Sequence, residues 1–100
     1  MRRLLLSLSL LAAPAHSAEI FGIGNSSCAA AMQPTSELQR RAYILGYWSG
    51  LNSYTNTGVG QTTDSLGLIG EVELYCRNNP ADSLARAVVA TYRRLRAAKR

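Results

Sequence analysis

Two cysteines, six carboxylates and one histidine are the side chains of this 100-residue chain most suited to catalysis or metal binding. Cys28 and Cys76 lie 48 positions apart, which matches neither a CxxC redox pair nor a metal-ligand spacing. Cys76 falls at the end of a helical pattern, so a thiolate there would lack the positive helix N-terminus that activates a redox thiol. A structural disulfide is the expected state, and closing a loop of this size stabilises a fold by about 4 kcal/mol in the chain-entropy model. His16 lies in the N-terminal leader, so the folded domain has no imidazole to act as general base or zinc ligand. Serine triads, Cys-His nucleophiles and histidine metal sites are therefore excluded. Glu71 and Glu73 are two apart on a helical pattern and must diverge, which makes them a poor acid/base pair. A non-enzymatic protein without metal or cofactor is expected.

The leader itself is informative. Arg2 and Arg3 form a basic start, Leu4 to Leu11 a short apolar run and Pro14 to Ala18 a small-residue exit, so residues 1–18 read as a cleaved signal peptide. Cleavage after Ala15 or Ser17 suits the small-residue rule better than cleavage after Ala18, which would place His16 three residues before the cut. The apolar run is too short to span a bilayer, which takes about 20 residues, and no later stretch qualifies. An exported, periplasmic domain over residues 19–100 is expected, in an oxidising compartment where a disulfide persists. Losing Arg2 and Arg3 lowers the formal charge from +5 to +3.

The elements that would position these residues are helical. Residues 19–27 form an entry strap with Ile20, Phe21 and Ile23 facing a core edge. Ser26 or Ser27 caps a short helix from Cys28 to Met32. After Pro34, Ser36 and Gln39 have capping-box spacing, and a second helix runs to about Ser53. Its apolar residues Leu38, Ala42, Leu45, Ile44, Trp48 and Leu51 recur at three and four, with Arg40 and Arg41 toward solvent. Ala42, Gly46 and Gly50 make a small-residue stripe suited to close helix packing. Tyr43, Tyr47 and Tyr54, with Trp48 and Leu51 nearby, are either core rim or a partner surface. Residues 53–63 carry no charge and read as a mobile loop. Asp64 or Thr63 then caps a third helix to about Arg77, with Leu66, Ile69, Val72 and Cys76 inward. Pro80, capped by Asn79, opens the last helix, whose stripe is Leu84, Val88, Thr91 and Leu95. The Arg93, Arg94, Arg96, Lys99 and Arg100 cluster complements the helix dipole at the C-terminal end; with export and no interleaved aromatics, nucleic acid is not an expected partner.

Cys28, the segment Gly46-Tyr47-Trp48-Ser49-Gly50 and the run Tyr75-Cys76-Arg77-Asn78-Asn79-Pro80 before an amphipathic helix together resemble the HdeA/HdeB family of small periplasmic acid-stress proteins. The resemblance spans most of residues 28–95. It implies an all-α fold, a small orthogonal bundle of three to four helices, with Cys28 joined to Cys76. It also implies a chaperone that is inactive at neutral pH, possible as a homodimer, and that holds unfolded client proteins once acid exposes apolar surface. Glu37, Asp64, Glu71, Glu73 and Asp82 would then sense pH, and Tyr43, Tyr47, Trp48, Leu51 and Tyr54 would meet clients. Protonating all six acids raises the mature charge from +3 to about +9, with titration centred near pH 4. The segment Ile44 to Gly50 is also similar to periplasmic immunity proteins that neutralise type VI secreted amidases, although Leu45 stands where those carry a cysteine. That alternative implies one specific protein partner, and a plain envelope interaction module is a third reading.

Overall fold

The computed structural model describes residues 19–100, so the expected signal peptide lies outside the described residues. Four α-helices follow in order: α1 Cys28–Ala31, α2 Glu37–Thr55, α3 Ser65–Asn78 and α4 Leu84–Ala97. Short 3-10 turns at Gly22–Asn25 and Pro34–Ser36 precede α1 and α2, and no strand occurs among the described residues. The all-α class is as the sequence indicates.

Three helices begin where a short polar side chain satisfies an orphan backbone N–H. Ser27 accepts from the Ala30 amide, Asp64 from the Gly67 amide and Ser83 from the Arg86 amide. The Ser36–Gln39 capping box does not form. Its 3-10 turn runs directly into α2 and holds Ser36 at φ −101°, ψ 6°, away from the extended geometry that aims a cap side chain at the first turn.

The last helix starts at Leu84 and not at Pro80. The intervening backbone is taken by the entry to α1: the Cys28 and Ala29 amides donate to the Asp82 and Pro80 carbonyls, and the Leu84 amide donates to the Ser26 carbonyl. Ser27 and Ser83 thus cap their own helices while lying side by side as an antiparallel bridge. Beneath that bridge Cys28 and Cys76 form the expected disulfide, with their Cα atoms 5.0 Å apart.

The core sits between α2, α3 and α4. Ile44 and Trp48 enter from α2, Ile69, Val72 and Cys76 from α3, and Leu84, Val88, Thr91, Tyr92 and Leu95 from α4. The stripe read for α4 is therefore the buried one. On α2 Ile44 and Trp48 face inward as expected, but Arg40 completes their line where Leu38 and Ala42 were expected. Arg40 is 6% exposed, whereas Leu38, two residues away and so on the opposite side, is 82% exposed. Leu66, in the first turn of α3, also faces solvent.

The same phase overturns the reading of the small-residue stripe. Ala42, Gly46 and Gly50 are exposed, and a Cβ built at Gly46 or Gly50 would meet nothing within 4 Å. They lie two residues out of step with Ile44 and Trp48, so among the described residues they are turned away from the core helices. Bulk is excluded elsewhere, at Gly24, Gly60 and Gly67 among others. A side chain at Gly24 would strike the Tyr43 ring, and one at Gly60, already at φ +94°, would come within 2.8 Å of Leu68.

Candidate functional site

Each of the five carboxylates singled out in the sequence has a partner, and four of them act on α3. Glu73 accepts a 2.8 Å hydrogen bond from Arg40 Nε, and Arg40 Nη1 donates to the Ala31 carbonyl at 2.8 Å. The pair is well shielded, with side chains 7% and 15% exposed, and it joins α3 to α2 and to the end of α1. Glu71 points the other way, accepting from Arg94 and lying 3.6 Å from Arg100, which ties α3 to α4 and its C-terminal extension. The two glutamates diverge as their spacing requires. Asp82 accepts from the Tyr75 hydroxyl, and Asp64 caps the first turn of α3. Glu37 is the exception, pairing with Arg41 at 2.8 Å along the surface of α2.

Two of these contacts shift a titration. The hydrogen bond from Arg94, aided by the charges of Arg94 and Arg100 and opposed by desolvation, holds the Glu71 carboxyl below the ordinary carboxylate range. The hydrogen bond to Asp82, with desolvation and the Asp82 charge behind it, raises the Tyr75 hydroxyl above the usual tyrosine value. Tyr43 is raised as well, by burial and by its neighbour Tyr47.

A second network joins α2, the loop after it and α4 through indole, amide and hydroxyl groups. Trp48 Nε1 donates to the Val59 carbonyl at 2.8 Å, and Asn52 exchanges hydrogen bonds with both the amide and the carbonyl of Val59. The Tyr92 hydroxyl donates to Asn52 Oδ1 at 2.8 Å and lies 3.0 Å from the hydroxyls of Thr55 and Thr57. The Gly60 amide and the Thr62 hydroxyl both donate to the Arg100 carbonyl. The stretch read as a mobile loop is therefore pinned at several points. Its polar side chains find tertiary partners that composition does not reveal.

The five residues expected to meet clients do not form one patch. Trp48 is 2% exposed and packs edge-on against Tyr92, so it belongs to the core. Its indole N–H can be buried because Val59 accepts it. Tyr43 and Tyr47 are half-buried and edge-to-face at 5.6 Å, Leu51 is half-buried, and Tyr54 stands 89% exposed. Beside the surface Glu37–Arg41 pair, α2 also turns outward the uncharged Leu38, Ala42, Gly46, Gly50 and Tyr54.

Among the described residues no cluster of three or more metal-ligating side chains occurs. No helix there is long and apolar enough to cross a membrane. Comparison with family models, with curated proteins and with solved structures finds no match. The likeness to HdeA and HdeB rests on the residues quoted for it.

Arg40 is the site residue that sequence reasoning misplaced. It adjoins Arg41 and carries no local mark of burial. Its partners, Glu73 and the Ala31 carbonyl, come from two other helices.

Proposed function

We propose that this protein is an exported, non-enzymatic holdase whose apolar interior is released by acid, with α3 as the moving element. The observation that supports this reading is the division of its polar ties. Glu73–Arg40, Glu71–Arg94, Tyr75–Asp82 and the Asp64 cap all hold α3 through carboxylates. The Trp48, Asn52 and Tyr92 network holds α2 to α4 without one.

Protonation removes the acceptor charge from every α3 tie and leaves the neutral network intact. For Glu71, held below the ordinary carboxylate range by the hydrogen bond from Arg94, the contribution is present above that range and is lost as pH falls through the lowered value. The Cys28–Cys76 bond, near the C-terminal end of α3, keeps that end in place. The N-terminal part of α3 would then swing outward, baring Ile69 and Val72 and the surfaces of Trp48 and Leu95 that are covered at neutral pH. Unfolded proteins, themselves cationic in acid, would be held through this apolar surface. The excess of arginine left after carboxylate protonation would keep the complex dispersed by repulsion.

Hydrogen exchange on the mature protein between pH 7 and pH 2, with an apolar reporter dye and an acid-unfolded client, tests this. Amides of residues 65–72 should lose protection before those of α2 and α4, and dye binding and suppression of client aggregation should rise over the same interval. Uniform loss of protection, or loosening without any effect on the client, would overturn it.

The outward face of α2 favours a second reading, a binder for one folded partner. Leu38 and Tyr54 are 82% and 89% exposed at either end of a face that the described residues leave largely open. Such an interface would act at neutral pH. Gly46→Arg, placed where a side chain meets open space, would abolish it and leave acid-induced client holding intact.

A further inference from the structure

Helix α4 has a second organised face beside its core stripe. Arg86, Val89, Ala90 and Arg93 follow the i, i+3, i+4, i+7 spacing that places residues on one side of a helix. They border an open groove of about 360 Å³, floored by Ala85, with Tyr47 of α2 and Tyr75 of α3 on its walls. That volume falls within the range of small-molecule sites, and an apolar floor with aromatic walls and a few polar groups is their usual make-up. A guanidinium stands toward each end, since seven residues of helix span about 10 Å.

The two arginines are not equivalent. Arg86 lies near the Tyr75 hydroxyl, which donates to Asp82, so a carboxylate stands toward the Arg86 side of the groove. Neither Arg86 nor Arg93 has an ion-pair partner among the described residues, and Glu71, the carboxylate beside the last turns of α4, is engaged by Arg94 and Arg100. Arg93 is therefore a groove cation left without an ion pair among the described residues. We infer that this groove is a binding site for a small amphipathic monoanion, an alkyl or aryl carboxylate. Its head pairs with Arg93 and its apolar body lies over Val89, Ala90 and Ala85 between the two tyrosine rings.

Charge complementarity selects the anion, and a volume of about 360 Å³ matches a small molecule. The site is formed at neutral pH with all carboxylate ties in place, so it is separate from the acid-opened surface proposed above. Net positive charge adds a general attraction for anions, but the groove decides which of them stay.

Decanoate, below its micelle concentration, is the probe, titrated into the mature protein at pH 7.5 and followed by backbone amide shifts. Saturable shifts confined to the groove residues are expected, with a dissociation constant on the order of 0.1–1 mM for a ligand of this size. Arg93→Gln should weaken binding about tenfold, the usual consequence of losing one charge-assisted hydrogen bond, and Arg86→Gln by less. Both positions are exposed, so the fold should survive, as unchanged melting would verify. Ala90→Trp should block the groove to decanoate altogether. Equal binding of decanol or decyltrimethylammonium would remove the anionic requirement and with it the proposal. Shifts scattered outside the groove, no saturation, or an Arg93→Gln protein that binds as tightly as the parent would each do the same.

Discussion

Arg40 and Glu73, 33 residues apart in the chain, form a 2.8 Å ion pair at which α1, α2 and α3 meet. Arg40 also donates to the Ala31 carbonyl, so its guanidinium satisfies the end of α1 as well as the carboxylate of α3. A buried pair of this kind adds little over an apolar replacement, but either half alone is costly, because the survivor is left charged and unpaired. The relationship therefore behaves as a lock between three helices.

Arg40→Ala should lower stability by about 3 kcal/mol, which urea unfolding at pH 7 will report as a reduced midpoint. The double replacement Arg40→Met with Glu73→Leu should recover most of that loss. A double variant as weak as the single one would show that the arginine acts through packing and not through the pair.

For Glu71 the sign follows from its lowered titration. Its ion pairs with Arg94 and Arg100 stabilise the fold above the ordinary carboxylate range, and that contribution fades as pH falls through the lowered folded-state value. Melting temperatures of the parent and of Glu71→Gln should differ at pH 7 and converge toward pH 2. Tyr75 runs in the opposite sense: its raised hydroxyl contributes below the usual tyrosine value, about 10, and the contribution is lost as pH rises through the folded-state value. Tyr75→Phe should flatten the alkaline end of the same profile.

Gly46→Ala and Gly50→Ala should each stabilise the protein by about 0.5–1 kcal/mol. Both sites are in a helix interior, where glycine is unfavourable, and a methyl group there meets open space. Gly24→Ala should be destabilising, because its methyl would drive into the Tyr43 ring. Thermal unfolding of the three variants side by side checks both signs, and a loss at Gly46 or Gly50 would mean that the α2 face is covered in solution.

Replacing Cys28 and Cys76 together by alanine should cost about 4 kcal/mol, the entropy regained by freeing a 48-residue separation in the unfolded chain. In acid the same variant should expand further than the parent, since nothing then retains the C-terminal end of α3. Small-angle scattering at pH 2 measures the difference.

How much of this was legible in sequence depended on how one-sided each helix is. In α4, apolar residues occupy one side and arginines much of the rest, so Leu84, Val88, Thr91 and Leu95 could be read as the buried stripe before any neighbour was known. In α2, apolar and small residues occur all round, so periodicity did not separate Leu38 and Ala42 from Ile44 and Trp48, and nothing in it marked Arg40 as buried. Arg40 turns inward because Glu73 and the Ala31 carbonyl supply what a buried guanidinium needs. The carboxylates could be enumerated from sequence, but that four of them hold one helix could not.

By itself the sequence determined the helical class and the disulfide between its only two cysteines, and it narrowed two N-terminal caps to Ser26 or Ser27 and to Thr63 or Asp64, of which Ser27 and Asp64 serve. These follow from local chemistry: a side chain reaching its own backbone, an apolar period, and a pair with no other choice. Only the tertiary structure decided the burial of Arg40, the start of α4 at Leu84, the pinning of the loop by Asn52 and Tyr92, and the exposure of the Gly46 and Gly50 face. In each of these the deciding partner lies on another part of the chain, and the free energy of burying or satisfying a polar group outweighs the smaller local preference that sequence displays.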